Sequence, residues 1–99
     1  MDLRHLEHVL LLAEELNFSR AAARAHLTQS AFSRSIQAAE AIAGVAFFDR
    51  TRRSVSPTAV GQRIIERGRR IVAEASDLDR EIRFLEAGVG GEIRIGAGL

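Results

Sequence analysis

The stretch that decides the fold is NFSRAAARAHLTQSAFSRSIQAAEAIAG, residues 17–44. Ser19 is suited to be an N-cap, and we predict that it opens a short, alanine-rich helix over residues 20–26. Thr28 is suited to be the next cap, and we predict a longer helix over residues 29–43. Gly44, the last residue of this stretch, tolerates the positive φ that often follows a helix. A short helix, a tight turn and a longer helix form a helix-turn-helix.

The longer helix has two faces of different character. At about 100° per residue, its core stripe consists of Phe32, Ile36, Ala39 and Ala43. The other face carries no acid and no large apolar residue, and it consists of Gln29, Ser30, Ser33, Arg34 and Gln37. Such side chains read base edges and contact phosphates. Since the face lies near the N-terminus of the second helix of a helix-turn-helix, we predict that it contacts DNA, although a polar face is often merely solvated.

The segments on either side complete a domain. A first helix is predicted over residues 2–15, with an apolar face made of Leu3, Leu6, Leu10 and Ala13. After the helix-turn-helix, apolar residues at 47, 48 and 55 flank a polar tip, which predicts a two-stranded hairpin, the wing. Pro57 is predicted to open the next helix, where its missing N–H costs nothing. The predicted fold is therefore mainly α, a winged helix-turn-helix of three helices plus a two-stranded wing.

Arginines outside the longer helix are further candidates for DNA contact. We predict that Arg52 and Arg53, at the wing tip, reach phosphates or a narrow minor groove. Arg50 is also a candidate, with pairing to Glu40 as the alternative. On the short helix, phosphate is the only DNA contact that we expect of Arg20 and Arg24.

The last helix is predicted to be long and coiled-coil-like, over residues 58–87. Residues four and three apart form a heptad seam, which consists of Ile64, Gly68, Ile71, Ala75, Leu78, Ile82 and Leu85. A helix of about 30 residues spans about 45 Å, longer than so small a domain can cover. We predict that the seam pairs with a second copy of the chain as a homodimer; the alternative is a helix packed entirely on its own domain.

The charges of the chain are segregated along its length. Residues 1–16 carry one arginine and four acids, residues 17–70 carry ten arginines and three acids, and residues 71–99 carry three arginines and six acids. A basic middle between acidic ends predicts a localised surface for an anion, most often nucleic acid. A solvated face without a partner is the alternative.

Several classes of protein are not favoured by the sequence. The chain has no cysteine, so disulfides and thiolate metal sites are excluded, which suits a reducing cytosol. Its longest apolar run, residues 9–13, is far too short to cross a membrane. His5 and His8 are spaced as metal ligands can be, but no residues complete a site, and a structural or surface role is the favoured interpretation. We therefore expect neither an enzyme nor a bound metal or cofactor.

The C-terminal residues suggest a further domain. Glycines follow the long helix like a hinge, and residues 92–95 alternate as a strand does. We predict a DNA-binding domain over residues 1–57, a linker helix over 58–88, and a hinge with the first strand of an absent domain over 89–99. The Gly-x-Gly after the strand is a weak sign of a dinucleotide site.

These motifs resemble those of the LysR-type transcriptional regulators. The resemblance rests on NFSRAA at residues 17–22, LTQSAFSRSI at 27–36, GVAFFDRTRR at 44–53, PTAVG at 57–61 and GEIRIG at 91–96. It implies a winged helix-turn-helix whose linker helices pair antiparallel, so that two recognition helices enter successive major grooves of an interrupted palindrome. It also implies a cytoplasmic, nucleoid-associated regulator, commonly tetrameric at full length, whose small co-inducer binds the absent effector domain.

The sequence departs from the family in its core. Ala25, Ala39 and Ala43 stand where the family usually has leucine, and Phe47 is expected to refill part of that volume. Three other functions stay open: a winged-helix module that binds only protein, a nucleotide-binding protein that starts near residue 91, and a non-specific architectural DNA binder.

Overall fold

A computed structural model describes residues 1–51 and 54–89 of the chain. Those residues form three short helices, a small antiparallel sheet and one long helix, which confirms the predicted fold class. In chain order the elements are α1 (Leu3–Glu15), α2 (Phe18–Arg24), α3 (Gln29–Ala43), β1 (Phe48–Arg50), β2 (Val55–Pro57) and α4 (Ala59–Val89).

Side-chain caps determine where α2 and α3 begin. Thr28 Oγ1 accepts a hydrogen bond from the N–H of Ala31 at 3.1 Å, so the predicted cap of α3 is confirmed. The cap predicted at Ser19 is wrong. Asn17 is the N-cap of α2, and its side-chain oxygen accepts from the N–H of Arg20 at 2.8 Å. Because asparagine caps at least as well as serine, the helix begins at the earlier position, and the Ser19 hydroxyl is not used as a cap.

The core lies where α1, α2 and α3 meet. Phe32, Ile36 and Ala39 are fully buried, as predicted for the α3 stripe. The prediction for Ala43 is wrong, because the last turn of α3 extends beyond the core and is exposed, with Ile42 beside it. Phe47 is also fully buried in this core, in line with its expected role in filling volume.

The apolar face predicted for α1 is only partly correct. Val9 and Leu12 are the fully buried residues of α1, whereas the predicted Leu3 is 40% exposed. Leu6 and Leu10 instead lie against Gly68 of α4. One side of α1 therefore packs into the core and another side packs on α4. The leucine spacing in the sequence predicted the side that packs on α4.

The start of α4 also differs from the prediction. Pro57 lies in β2, paired with Phe48, and does not open the helix. Thr58 follows it, and its hydroxyl accepts from the N–H of Gly61 at 2.9 Å and donates to the carbonyl of Ala46 at 2.8 Å. Proline is tolerated in this edge strand because it has no N–H to leave unpaired.

Two glycines of α4 lie at close contacts of different kinds. A Cβ at Gly61 would lie 2.8 Å from the carbonyl carbon of Phe47 and closer still to its oxygen, which is backbone that cannot move aside. A Cβ at Gly68 would lie 2.9 Å from Cδ1 of Leu6, the end of a flexible side chain.

We therefore expect Gly61→Ala to destabilise the fold by about 3 kcal/mol or more, because it forces β1 away from α4. Gly68→Ala is the matched control, since Leu6 can change rotamer and alanine favours a helix over glycine by about 1 kcal/mol. Urea unfolding of both variants measures the difference. Equal losses of stability would contradict the steric argument.

Candidate nucleic-acid interface

The polar face of α3 forms one continuous, shallow surface. The structure brings together on it all five residues predicted from the sequence, namely Gln29, Ser30, Ser33, Arg34 and Gln37. Ser33 is half-buried and the other four are exposed. The opposite side of the helix is buried in the core, so this face points outward.

A histidine ties α3 to α1 beneath that surface. His8 is buried, and its Nδ1 lies 2.7 Å from the hydroxyl of Ser35. Its ring also packs on Phe32, with centroids 5.4 Å apart. Burial lowers the pKa of His8 below its ordinary value, which keeps the imidazole neutral near pH 7. A structural or surface role was expected for His8 in preference to metal binding, but its partners Ser35 and Phe32 were not predicted.

Glu40 connects α3 to the wing. One of its carboxylate oxygens accepts from the N–H groups of Phe47 at 2.8 Å and Phe48 at 3.3 Å. The other accepts from the Arg50 guanidinium at 3.2 Å. The alternative pairing of Arg50 with Glu40 is therefore what the structure shows. Arg50 also lies 5.2 Å from the ring centre of Phe18, a cation–π contact with α2.

The two arginines of α2 are engaged by acids of α1. Arg20 contacts Glu15 at 3.2 Å, and Arg24 contacts Glu14 at 2.6 Å and Glu15 at 3.1 Å. Among residues 1–51 and 54–89, Arg34 makes no ion pair. Of these three arginines, Arg34 therefore has the charge best placed for an external anion.

The remaining predicted residues divide into two groups. Arg52 and Arg53, and the predicted hinge and strand after residue 89, lie outside the described residues. On the α4 seam, Ile64 is half-buried against the core and Gly68 is buried beside Leu6. The seam then emerges from the domain, with Ala75 half-buried and four exposed apolar residues, Ile71, Leu78, Ile82 and Leu85.

Two features are absent from the residues that the structure describes. No helix among them is long and apolar enough to span a membrane. Among the same described residues, no three histidine or acidic side chains are grouped so that they could hold a metal ion. Asp2 is the N-cap of α1 and accepts from the N–H of His5 at 3.0 Å, and Nδ1 of His5 accepts in return from the N–H of Asp2 at 3.3 Å.

We expect Glu40→Ala to destabilise the fold by about 2 kcal/mol, because it leaves two backbone N–H groups and Arg50 without their shared acceptor. Glu66→Ala, which removes an exposed carboxylate from α4, is the control and is expected to have little effect. Thermal and urea unfolding test both. A Glu40→Ala variant as stable as the control would show that the contact contributes nothing.

The fold and its exposed helix face define the class of the protein as a winged helix-turn-helix. Residues 3–62 match the family described as bacterial regulatory helix-turn-helix protein, LysR family. The chain belongs to that family, which consists of transcriptional regulators and not of enzymes.

Curated relatives resemble the chain along nearly its whole length. The uncharacterized HTH-type transcriptional regulator YnfL of Escherichia coli is 41% identical over 96 residues, which are 97% of this chain and 32% of YnfL. The SDS degradation transcriptional activation protein of a Pseudomonas species is 43% identical over 97 residues, 98% of this chain and 32% of that protein. The chain thus spans about a third of the length of these relatives.

Solved structures of the family superpose well on the chain. A complex of the CbnR DNA-binding domain (DBD) with DNA has a TM-score of 0.78 at 35% identity, and the match covers 84% of this chain and 95% of that one. DarR of Vibrio fischeri in complex with DNA has a TM-score of 0.83 at 32% identity, with 92% of this chain and 31% of DarR covered.

Proposed function

We propose that this chain binds specific sequences of double-stranded DNA and thereby regulates transcription. The observation that carries the proposal is the outward face of α3, which gathers five polar side chains and no acid on one surface. Similar chains have been solved as DNA complexes, which supports assigning that face to DNA.

The side chains of α3 suggest a division of roles. With α3 in the major groove, Arg34 and Gln29 would read base edges, each contributing about 1–3 kcal/mol of discrimination. Ser30, Ser33 and Gln37 would position the helix through phosphate or base contacts. Arg50, Arg52 and Arg53 of the wing would reach the backbone or the adjacent minor groove.

We expect Arg34→Ala to lose preference for the selected DNA site while it keeps most of its affinity for random DNA. Arg83→Ala is the control, because it removes the same charge from an exposed position on α4. Fluorescence titrations with selected and random duplexes over a range of salt concentrations test both. An Arg34→Ala protein with unchanged sequence preference would contradict the assigned role.

Salt dependence separates this function from protein binding. Each neutralised phosphate is expected to contribute about 0.9 to the slope of log affinity against log salt. A module that binds only protein through the α3 face would show no comparable salt dependence with DNA.

We further propose that α4 pairs antiparallel with α4 of a second copy. The charge distribution supports this orientation, since residues 59–72 carry four arginines and one glutamate and residues 73–89 carry two arginines and five acids. An antiparallel pair places the basic half of each helix beside the acidic half of the other. A parallel pair would place like charges together.

We propose a register for that pair in which the helices cross near Ala75. Ile71 would then face the partner's Leu78, and Ile64 would face the partner's Leu85. Beside the seam, Arg67 then lies near the partner's Glu81. An apolar groove of about 300 Å³ between α1 and α4, lined by residues that include Leu6 and Gly68, would receive the partner's Ile82.

We expect Leu78→Glu to shift the protein from dimer to monomer, because it places charges in the apolar seam. Phe84→Glu is the matched control, since Phe84 is 73% exposed and lies on the side of α4 opposite the seam. Sedimentation velocity distinguishes the two outcomes. Dissociation by both variants, or by neither, would contradict the proposed seam.

The remaining expectations concern the longer protein. A dimer would match an interrupted palindrome in the DNA. A longer protein, of the length of the curated relatives, would form a tetramer and sense a small co-inducer through its effector domain. We propose a cytoplasmic, nucleoid-associated location on the same grounds. The domain limits of 1–57, 58–88 and 89–99 belong to this proposal.

A further inference from the structure

The Ser19 hydroxyl is directed at a residue proposed to read DNA. Because Asn17 caps α2, the hydroxyl of Ser19 is not used as a cap. It donates a hydrogen bond to Oε1 of Gln29 at 2.7 Å, across the turn of the helix-turn-helix. Both side chains are exposed, so the contact adds little to the core.

This hydrogen bond restrains the position of the Gln29 amide. Gln29 is the first residue of α3, where Thr28 fixes its backbone by capping the helix. The serine hydroxyl can donate to the amide oxygen or accept from the amide nitrogen. In either case Ser19 holds one end of the amide, and the other end remains for an external partner.

The neighbouring groups form a cleft on the same side. Gln29 and Ser19 line it together with wing residues that include Arg50 and Thr51, and it has a volume of about 330 Å³. The guanidinium of Arg50 is already held by Glu40 at 3.2 Å. Gln29 is therefore the side chain of this group that lies both in the cleft and on the proposed base-reading face.

We propose that Ser19 is a specificity-determining residue that acts by holding the Gln29 side chain in position to read one base. This inference rests on the proposed DNA-binding function. In the major groove each base presents its own pattern of donors and acceptors, and the amide of glutamine matches the pattern of adenine. Gln29 held in place therefore discriminates between bases at the position that it contacts.

Removal of the Ser19 hydroxyl releases that restraint. In Ser19→Ala, the Gln29 side chain loses its partner across the turn and samples more rotamers. We expect the base preference to fall by about tenfold at one position, which is in the range of one base contact. Binding to random DNA stays unchanged, because no phosphate contact is lost.

The experiment is a selection from a random duplex library with the intact chain and its variants. Gln29→Ala identifies the position in the motif that depends on Gln29. Ser19→Ala is then expected to weaken the base preference at that position alone, while Ser19→Thr, which keeps a hydroxyl, retains it. Ser76→Ala, an exposed serine on α4, is the control. Thermal unfolding of each variant checks that the fold is unchanged.

The possible results separate the two proposals. Failure of the unaltered chain to enrich any motif overturns the proposed function and this inference together. A motif that Ser19→Ala leaves intact at every position overturns this inference alone. Equal weakening on all sequences with a smaller salt slope also overturns it, since that result identifies Ser19 as a phosphate contact.

Discussion

The burial of Phe32 is the contact on which the rest of the domain depends. Its ring is fully buried in α3, 5.4 Å from the ring of His8 in α1 and 6.2 Å from that of Phe18 in α2. One side chain thus contacts all three short helices, α1, α2 and α3. Because this side of α3 faces inward, the residues about half a turn away must face outward, and Ser33 and Arg34 lie on that outer surface.

A second constraint joins the wing to this core at Phe47. Its N–H donates to Glu40 of α3 at 2.8 Å, and its carbonyl accepts from the N–H of Thr58, just before α4, at 2.9 Å. The absence of a side chain at Gly61 lets α4 approach that carbonyl. Recognition helix, wing and long helix therefore meet at one backbone segment, which makes the position of the wing depend on the core.

The long helix has two different environments along its length. Its first half packs on α1, where Leu6 lies against Gly68, and its second half extends into solvent with Leu78 and Ile82 exposed. Apolar residues on an extended helix have no core of their own to enter, so a partner surface is the physical requirement that supports the dimer proposal. The reversal of charge between the two halves supports an antiparallel partner.

The sequence by itself determined the order of the elements, the limits of α3 and the five residues of its outer face. These features depend on local rules: Thr28 is a cap, and apolar residues recur with the period of a helix. The tertiary structure alone decided which of two possible caps, two residues apart, begins α2, which sides of α1 are buried and which groups Glu40 binds. Asn17 and Ser19 are both suitable caps, so local preference could not choose between them. Contacts such as Ser19 with Gln29 join residues whose proximity depends on how the helices pack, and no spacing in the chain encodes that distance.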